Sequence, residues 1–119
     1  MSDETYVENM APKTVTELAK LIPLEPGSIV SKILFQNDAV SLTLFSFGKG
    51  QAIATHVADG DALVQVLEGE GTFTVDGIPH IVKKGEVLLM PHHHPHALQA
   101  SADFKMLLTV LYPTPEKAA

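Results

Sequence analysis

The chain has 119 residues, of which 45% are hydrophobic and 18% are charged, a composition typical of a globular domain and not of a disordered segment. Eight basic and fourteen acidic residues give a net charge of −6, and arginine is absent, so binding to a nucleic-acid backbone or an anionic membrane is disfavoured. There is no cysteine, no apolar run of membrane-spanning length and no signal-peptide start. We expect a cytoplasmic protein with a single domain over residues 1–119 and a core in about 28–112.

The N-terminal part of the chain is expected to lie outside this core. Residues 1–13 are polar and lack periodicity, which indicates a loose arm. Thr14 to Glu17 has the spacing of a helix capping box, so the next residues form either a short helical turn or an extended segment over the sheet. Two prolines, Pro23 and Pro26, prevent a longer helix.

After Pro26 the sequence changes to short apolar segments separated by Gly, Asp and Pro turns. Asp76-Gly77 is a strong two-residue hairpin signal, and the Gly-rich stretch from Glu68 to Gly71 is expected to reverse the chain. Such spacing is typical of an antiparallel sandwich or barrel with little helix. Around nine strands are predicted, at 29–35, 40–47, 52–57, 63–67, 72–75, 78–82, 87–90, 97–100 and 104–111, followed by a frayed tail at 113–119.

Four of the six histidines follow Pro91 within five residues: His92, His93, His94 and His96. Imidazole binds transition metals and changes charge near neutral pH, so this cluster is the first candidate for chemistry. If the chain stays extended here, His92, His94 and His96 share one face. Alternatively, His92 to His94 form a solvated loop at the mouth of the barrel.

The spacing of glycine, proline and histidine over residues 48–100 resembles the cupin family of small barrels. The motif positions that match are Gly50, His56, Gly69, Gly85, Pro91 and His96. The resemblance implies an all-β fold, a double-stranded β-helix or jelly-roll cupin barrel with antiparallel strands.

The same resemblance implies that the usual metal site of the family is damaged. Cupin metals usually take three histidines and a glutamate, but Ala58 and Ala62 stand where the second histidine and the glutamate belong. The two histidines that remain, His56 and His96, make a weak site, because a divalent ion generally needs three or four protein ligands. A divalent transition metal (Zn, Fe, Mn or Ni) would need His92 or His94 as a further ligand; otherwise the protein is metal-free.

Three other polar side chains have two interpretations each. Asp59 and Asp61 belong to a turn sequence, in which Asp bonds nearby backbone N–H groups, but a carboxylate there could also bind metal or act as a general base. Gln65 lies on an apolar strand and either hydrogen-bonds a ligand or faces outward.

Two functions follow from these residues. The leading hypothesis is a small-molecule-binding cupin barrel of unassigned activity, with an apolar interior enlarged at Ala58 and Ala62, and with His56 and His96 as its polar contacts. The alternative is a metal-dependent enzyme of dioxygenase, isomerase or lyase type that uses both histidines and one from the 92–94 run; only fold analogy supports that chemistry. A third possibility is a purely structural or regulatory dimer module. The resemblance implies a homodimer, whose N-terminal arm crosses to the partner and covers a sheet edge.

Overall fold

The computed structural model describes residues 5–113 as a curled antiparallel β structure with one short 3₁₀ helix, Leu18–Leu21. Within this range no helix is both long enough and apolar enough to cross a membrane. Eight strands are present: β1 (Ile29–Gln36), β2 (Val40–Phe47), β3 (Ala52–His56), β4 (Asp61–Val75), β5 (Ile78–Lys83), β6 (Val87–Met90), β7 (His96–Gln99) and β8 (Phe104–Leu111).

The strands form two faces that share β4. The first sheet contains β1, β2, β8, β6 and the N-terminal part of β4, and the second contains β5, β7, β3 and the C-terminal part of β4. Every pairing is antiparallel, and the main path runs β1-β2-β8-β4-β7-β3. This arrangement confirms the predicted all-β jelly-roll barrel.

The reversal predicted at Glu68–Gly71 is wrong, because β4 continues through it as one strand of 15 residues. A bulge between Val66 and Glu68 bends the strand where it passes from the first sheet to the second. Gly69 has φ +72°, and a Cβ there would overlap the carbonyl oxygen of Asp103. The glycines therefore serve a bend and a close backbone approach, and the nine predicted strands become eight.

The hairpin predicted at Asp76-Gly77 is confirmed. Val75 pairs with Ile78, and the two residues between them have φ of +52° and +80°. Both central residues of a type I′ turn need positive φ, which Asp and Gly tolerate best.

The side chains of β4 alternate between the two sides of the sheet, as expected for an extended strand. Ala62, Val64 and Val66 are buried inside the barrel, whereas Leu63, Gln65 and Leu67 are only partly buried and lie on the opposite face. The inner core also contains Phe47, Phe73, Val82, Met90, Leu98, Ala100, Phe104 and Met106.

A second, smaller cluster covers part of the outer face of the first sheet. Ile22 is buried there against Leu34 and Leu44, with the 3₁₀ helix packed beside it. Of the two interpretations of this segment, the structure shows the short helical turn. The predicted capping box is not formed, because Glu17 is the N-cap residue and no side chain caps the turn.

The N-terminal arm runs beside β1 of its own chain. The backbone N–H of Glu8 donates to the carbonyl oxygen of Leu34 at 2.6 Å, and the Asn9 side chain donates to that of Ile33 at 2.7 Å. Part of the β1 edge is thereby covered. Residues 1–4 of the predicted arm, and the predicted tail beyond Pro113, lie outside the described residues.

Candidate functional site

A cavity of about 130 Å³ lies inside the barrel, lined by inward side chains from both sheets. Its wall includes Phe45, Phe73, Met90 and Met106. Among the described residues that line it, every side chain is apolar except those of His56 and His96. A depression of about 420 Å³ near Tyr112 is larger, but it is open and has no histidine. The cavity between the two sheets is less open than this depression and apolar, with its polar groups at one place, which is the usual form of a small-ligand site.

The two histidines come from neighbouring strands. His56 ends β3 and His96 begins β7, and the register places them opposite each other. Their ring centroids are 4.3 Å apart and their planes meet at 75°. A small ligand group could therefore contact both rings at once.

His56 is exposed, and its ring is fixed by a local hydrogen bond. Nδ1 lies 3.0 Å from the carbonyl oxygen of Ala54. Because a carbonyl oxygen only accepts, Nδ1 is the donor in this bond. In the neutral ring this assigns the proton to Nδ1 and leaves Nε2 as an acceptor.

His96 is buried, with a residue exposure of 6%. Its burial lowers the pKa of the imidazole, the nearby His56 ring lowers it further, and a hydrogen bond with the backbone of His94 opposes the shift to a smaller extent. Among the described residues, Nδ1 of His96 is the one buried side-chain nitrogen or oxygen with no hydrogen bond of normal geometry. A buried polar atom without a good partner costs about 1–3 kcal/mol, so a further polar partner for the His96 ring would stabilise the protein.

The two alanines singled out by the sequence also line the cavity. Ala58 and Ala62 form part of the same wall as His56 and His96. Four of the predicted site residues are thus brought together. Gln65 is not among them, because it lies on the outer face of β4; of its two interpretations, the structure has the outward one.

The histidine run forms the loop between β6 and β7 and does not line the cavity. His93 has φ +64°, which breaks the extended geometry needed for His92, His94 and His96 to share a face. Of the two interpretations of this run, the structure therefore has the exposed loop.

Carboxylates at the two ends of β4 hold this loop: Asp61 is the first residue of the strand, and Asp76 follows its last residue. His92 bonds Oδ1 of Asp61 through its backbone N–H at 2.9 Å and through Nδ1 at 2.7 Å. His94 Nδ1 lies 2.7 Å from Oδ2 of Asp76. These pairs were not predicted, since no sequence spacing links residues that lie 31 and 18 positions apart.

Asp61 is exposed to solvent on the outside of the barrel mouth, and hydrogen bonds from the side chain and the backbone of His92 lower the pKa of its carboxyl group. Asp59 is more exposed and lies 3.8 Å from Nε2 of His93. Neither carboxylate lines the cavity, so in the structure both act in the turn and loop.

The described residues do not fit the metal site that the family resemblance implies. Within residues 5–113, no three His, Cys, Asp or Glu side chains are grouped so that they could hold a metal ion. His56 and His96 offer two nitrogens, and the positions of the missing ligands carry methyl groups. A structural or catalytic site for a divalent ion generally has at least three protein ligands.

Comparison with known proteins agrees with this fold. The model of the Cupin domain family matches residues 43–112. A conserved protein of unknown function from Streptococcus pyogenes is 35% identical, with a TM-score of 0.90 over 93% of this chain and 97% of that one. A cupin superfamily protein from Desulfitobacterium hafniense is 31% identical, with a TM-score of 0.86 over 92% of this chain and all of that one (100%).

A third solved structure is similar over a shorter stretch. The Cupin 2 conserved barrel domain protein from Leptotrichia buccalis is 47% identical, with a TM-score of 0.77, and the match covers 78% of this chain but 45% of that one. A search of curated proteins finds no match.

Proposed function

Since the chain belongs to the cupin family, as its match to the family model and its likeness to two whole relatives show, we propose that it binds a small molecule inside the barrel without a transition metal. The observation that carries this proposal is the buried, unpartnered Nδ1 of His96 beside an apolar cavity. A ligand with an apolar body and one polar group would satisfy both features.

The energetics favour an occupied cavity. Each Å² of apolar ligand surface removed from water contributes about 25 cal/mol, and an apolar cavity of about 150 Å³ is known to accept benzene. The cavity of about 130 Å³ is close to that size. A hydrogen bond to His96 would also remove the cost of its unpaired nitrogen.

The side chains at and near the cavity also favour the metal-free form of the proposal. Ala58 and Ala62 offer no ligand atom, and His92 and His94 bond carboxylates outside the cavity. A metal held by His56 and His96 alone would be weakly bound.

Two measurements on untagged protein test the proposal. Elemental analysis should find Zn, Fe, Mn and Ni well below one per chain, with no difference between the wild type, His56→Ala and His96→Ala. A stoichiometric metal that His56→Ala removes would overturn the metal-free form. Saturation-transfer NMR with fragments of about six to nine heavy atoms should detect binders that Ala62→Leu loses. Ala52→Leu, on the exposed side of β3, is the matched control, and the absence of any binder would overturn ligand binding.

We also propose that the chain forms a homodimer through the outer face of the first sheet. Leu63 and Leu89 pair across β4 and β6 on this face, and Val87 and Leu89 are 58% and 57% exposed. Exposed apolar side chains in one patch typically mark an interface.

A second copy of this chain is the occupant that we propose for this face. The net charge of −6 on each chain opposes self-association, so a dimer contact should lie where neither copy presents a charge. Beyond the part that the Ile22 cluster covers, the cross-strand rows of this face contain Thr109, Leu63 and Leu89, and beside them Gln65 and Val87. None of these side chains is charged, so two copies can pack here without burying a charge.

A further inference from the structure

The cavity offers its ligand no lysine or arginine. Its lining contains no lysine, and the chain contains no arginine, so no permanently charged cation faces the ligand. A buried carboxylate or phosphate would lose its hydration without an ion-pair partner, which is costly. The ligand should therefore be neutral.

The hydrogen-bonding groups of the two histidines favour a hydroxyl. Nε2 of neutral His56 accepts, since its Nδ1 donates to Ala54. Nδ1 of His96 has no partner and donates or accepts according to the tautomer. A hydroxyl can donate one hydrogen bond and accept others, so it can serve both rings, whose centroids are 4.3 Å apart. A carbonyl can only accept, so it would make no hydrogen bond to Nε2 of His56.

The size and the lining of the cavity favour a single aromatic ring. A volume of about 130 Å³ holds roughly one ring of benzene size. Phe45, Phe73, Met90 and Met106 form the wall, and aromatic rings and thioethers both make favourable contacts with aromatic ligands.

We propose that the cavity binds a small neutral phenol, one ring with a hydroxyl, with that hydroxyl against the edges of His56 and His96. This rests on the proposed function and specifies its ligand class. Such a ligand buries its ring among the apolar side chains and brings its one polar group to the two histidines.

The test is protein-detected NMR titration at about pH 8, well above the usual imidazole pKa of about 6.5. Three compounds of similar size are compared: phenol, toluene and benzoate. Phenol should bind roughly tenfold more tightly than toluene, as expected for one net hydrogen bond, and should shift the His96 side-chain nitrogens. Benzoate should not bind detectably.

Variants separate the hydroxyl contact from the cavity itself. His96→Leu should bind toluene but lose the preference for phenol. His56→Ala, which changes an exposed side chain and should leave the core folded, should reduce that preference. His80→Ala, which removes an exposed histidine of β5, should leave it unchanged.

Each other outcome has a definite meaning. Equal binding of phenol and toluene would overturn the hydroxyl assignment, and tighter binding of benzoate would overturn the neutral class. In both cases the ligand-binding function would stand. If none of the three binds while other fragments bind in the same cavity, the phenol assignment fails; if no fragment binds at all, the proposed function fails with it.

Discussion

His96 is buried while its cross-strand neighbour His56 is exposed, although their ring centroids are only 4.3 Å apart. A proton on His96 would be held away from water and close to a second ring that also binds protons. These two effects lower the pKa of His96.

The first prediction concerns pH and stability. Because the pKa of His96 is lower in the folded protein than in the unfolded chain, the unfolded chain binds more protons between the two values. The contribution of His96 to the unfolding free energy is fully present above about pH 6.5 and is lost as the pH falls through the folded pKa. Urea unfolding between pH 8 and pH 5 should show this loss in the wild type and in His80→Ala, but less of it in His96→Leu. An unchanged pH dependence in His96→Leu would contradict the assignment.

The second prediction concerns the bend in β4. Gly69 and Gly77 both have positive φ, but a Cβ would overlap backbone atoms only at Gly69, since nothing lies within 4 Å of the Cβ position at Gly77. Gly77→Ala should therefore cost only backbone strain, about 1–2 kcal/mol. Gly69→Ala should cost more than about 3 kcal/mol, because the backbone of Asp103 must also move away from the added methyl group. Chemical unfolding of both variants measures the difference, and equal costs would show that the close approach is relaxed easily.

The third prediction tests the outer face of the first sheet. Light scattering should find the wild type as a dimer at micromolar concentrations, and Leu89→Glu should convert it to a monomer by burying a charge in the contact. Ile81→Glu is the matched control, since Ile81 is 59% exposed but belongs to β5 of the second sheet. If Ile81→Glu alone dissociates the dimer, the contact lies on the second sheet.

The fourth prediction tests the anchoring of the histidine loop. Asp61 accepts two hydrogen bonds from His92, whereas Asp59 lies 3.8 Å from His93. Asp61→Ala should therefore speed hydrogen exchange at the amides of His92 and His93, and Asp59→Ala should leave it nearly unchanged. Similar exchange rates in both variants would mean that other contacts hold the loop, such as the 2.9 Å bond from the His93 N–H to the carbonyl oxygen of Ala58.

Much of the fold was predictable because local signals and tertiary contacts agree. The alternation within Val40–Phe47 and the Asp76-Gly77 turn predict a strand and a hairpin, and both are present. At Glu68–Gly71 the glycines, which elsewhere in the chain mark turns, lie inside the long strand β4. Gly69 is needed where Asp103 and Phe104, at the start of β8, lie close against β4, and local sequence does not reveal a contact with a distant strand.

The site was predictable only in part, for a similar reason. The meeting of His56 and His96 followed from a resemblance in motif spacing, since 40 positions of chain separate them and strand register alone brings them opposite. The pairing of His92 with Asp61 and of His94 with Asp76 depends on both ends of β4 meeting the loop between β6 and β7. The unpartnered nitrogen of His96 is a consequence of burial, which sequence spacing does not give.

The two faces of the barrel cannot come apart one at a time. β4 pairs with β5, β6, β7 and β8, and the path of paired strands from β1 to β3 passes through it. Opening either face would strip one half of this strand of its neighbours and expose the walls of the ligand cavity. Amide protons of β4 should consequently exchange only through global unfolding, so the pocket should stay intact up to the melting of the whole domain.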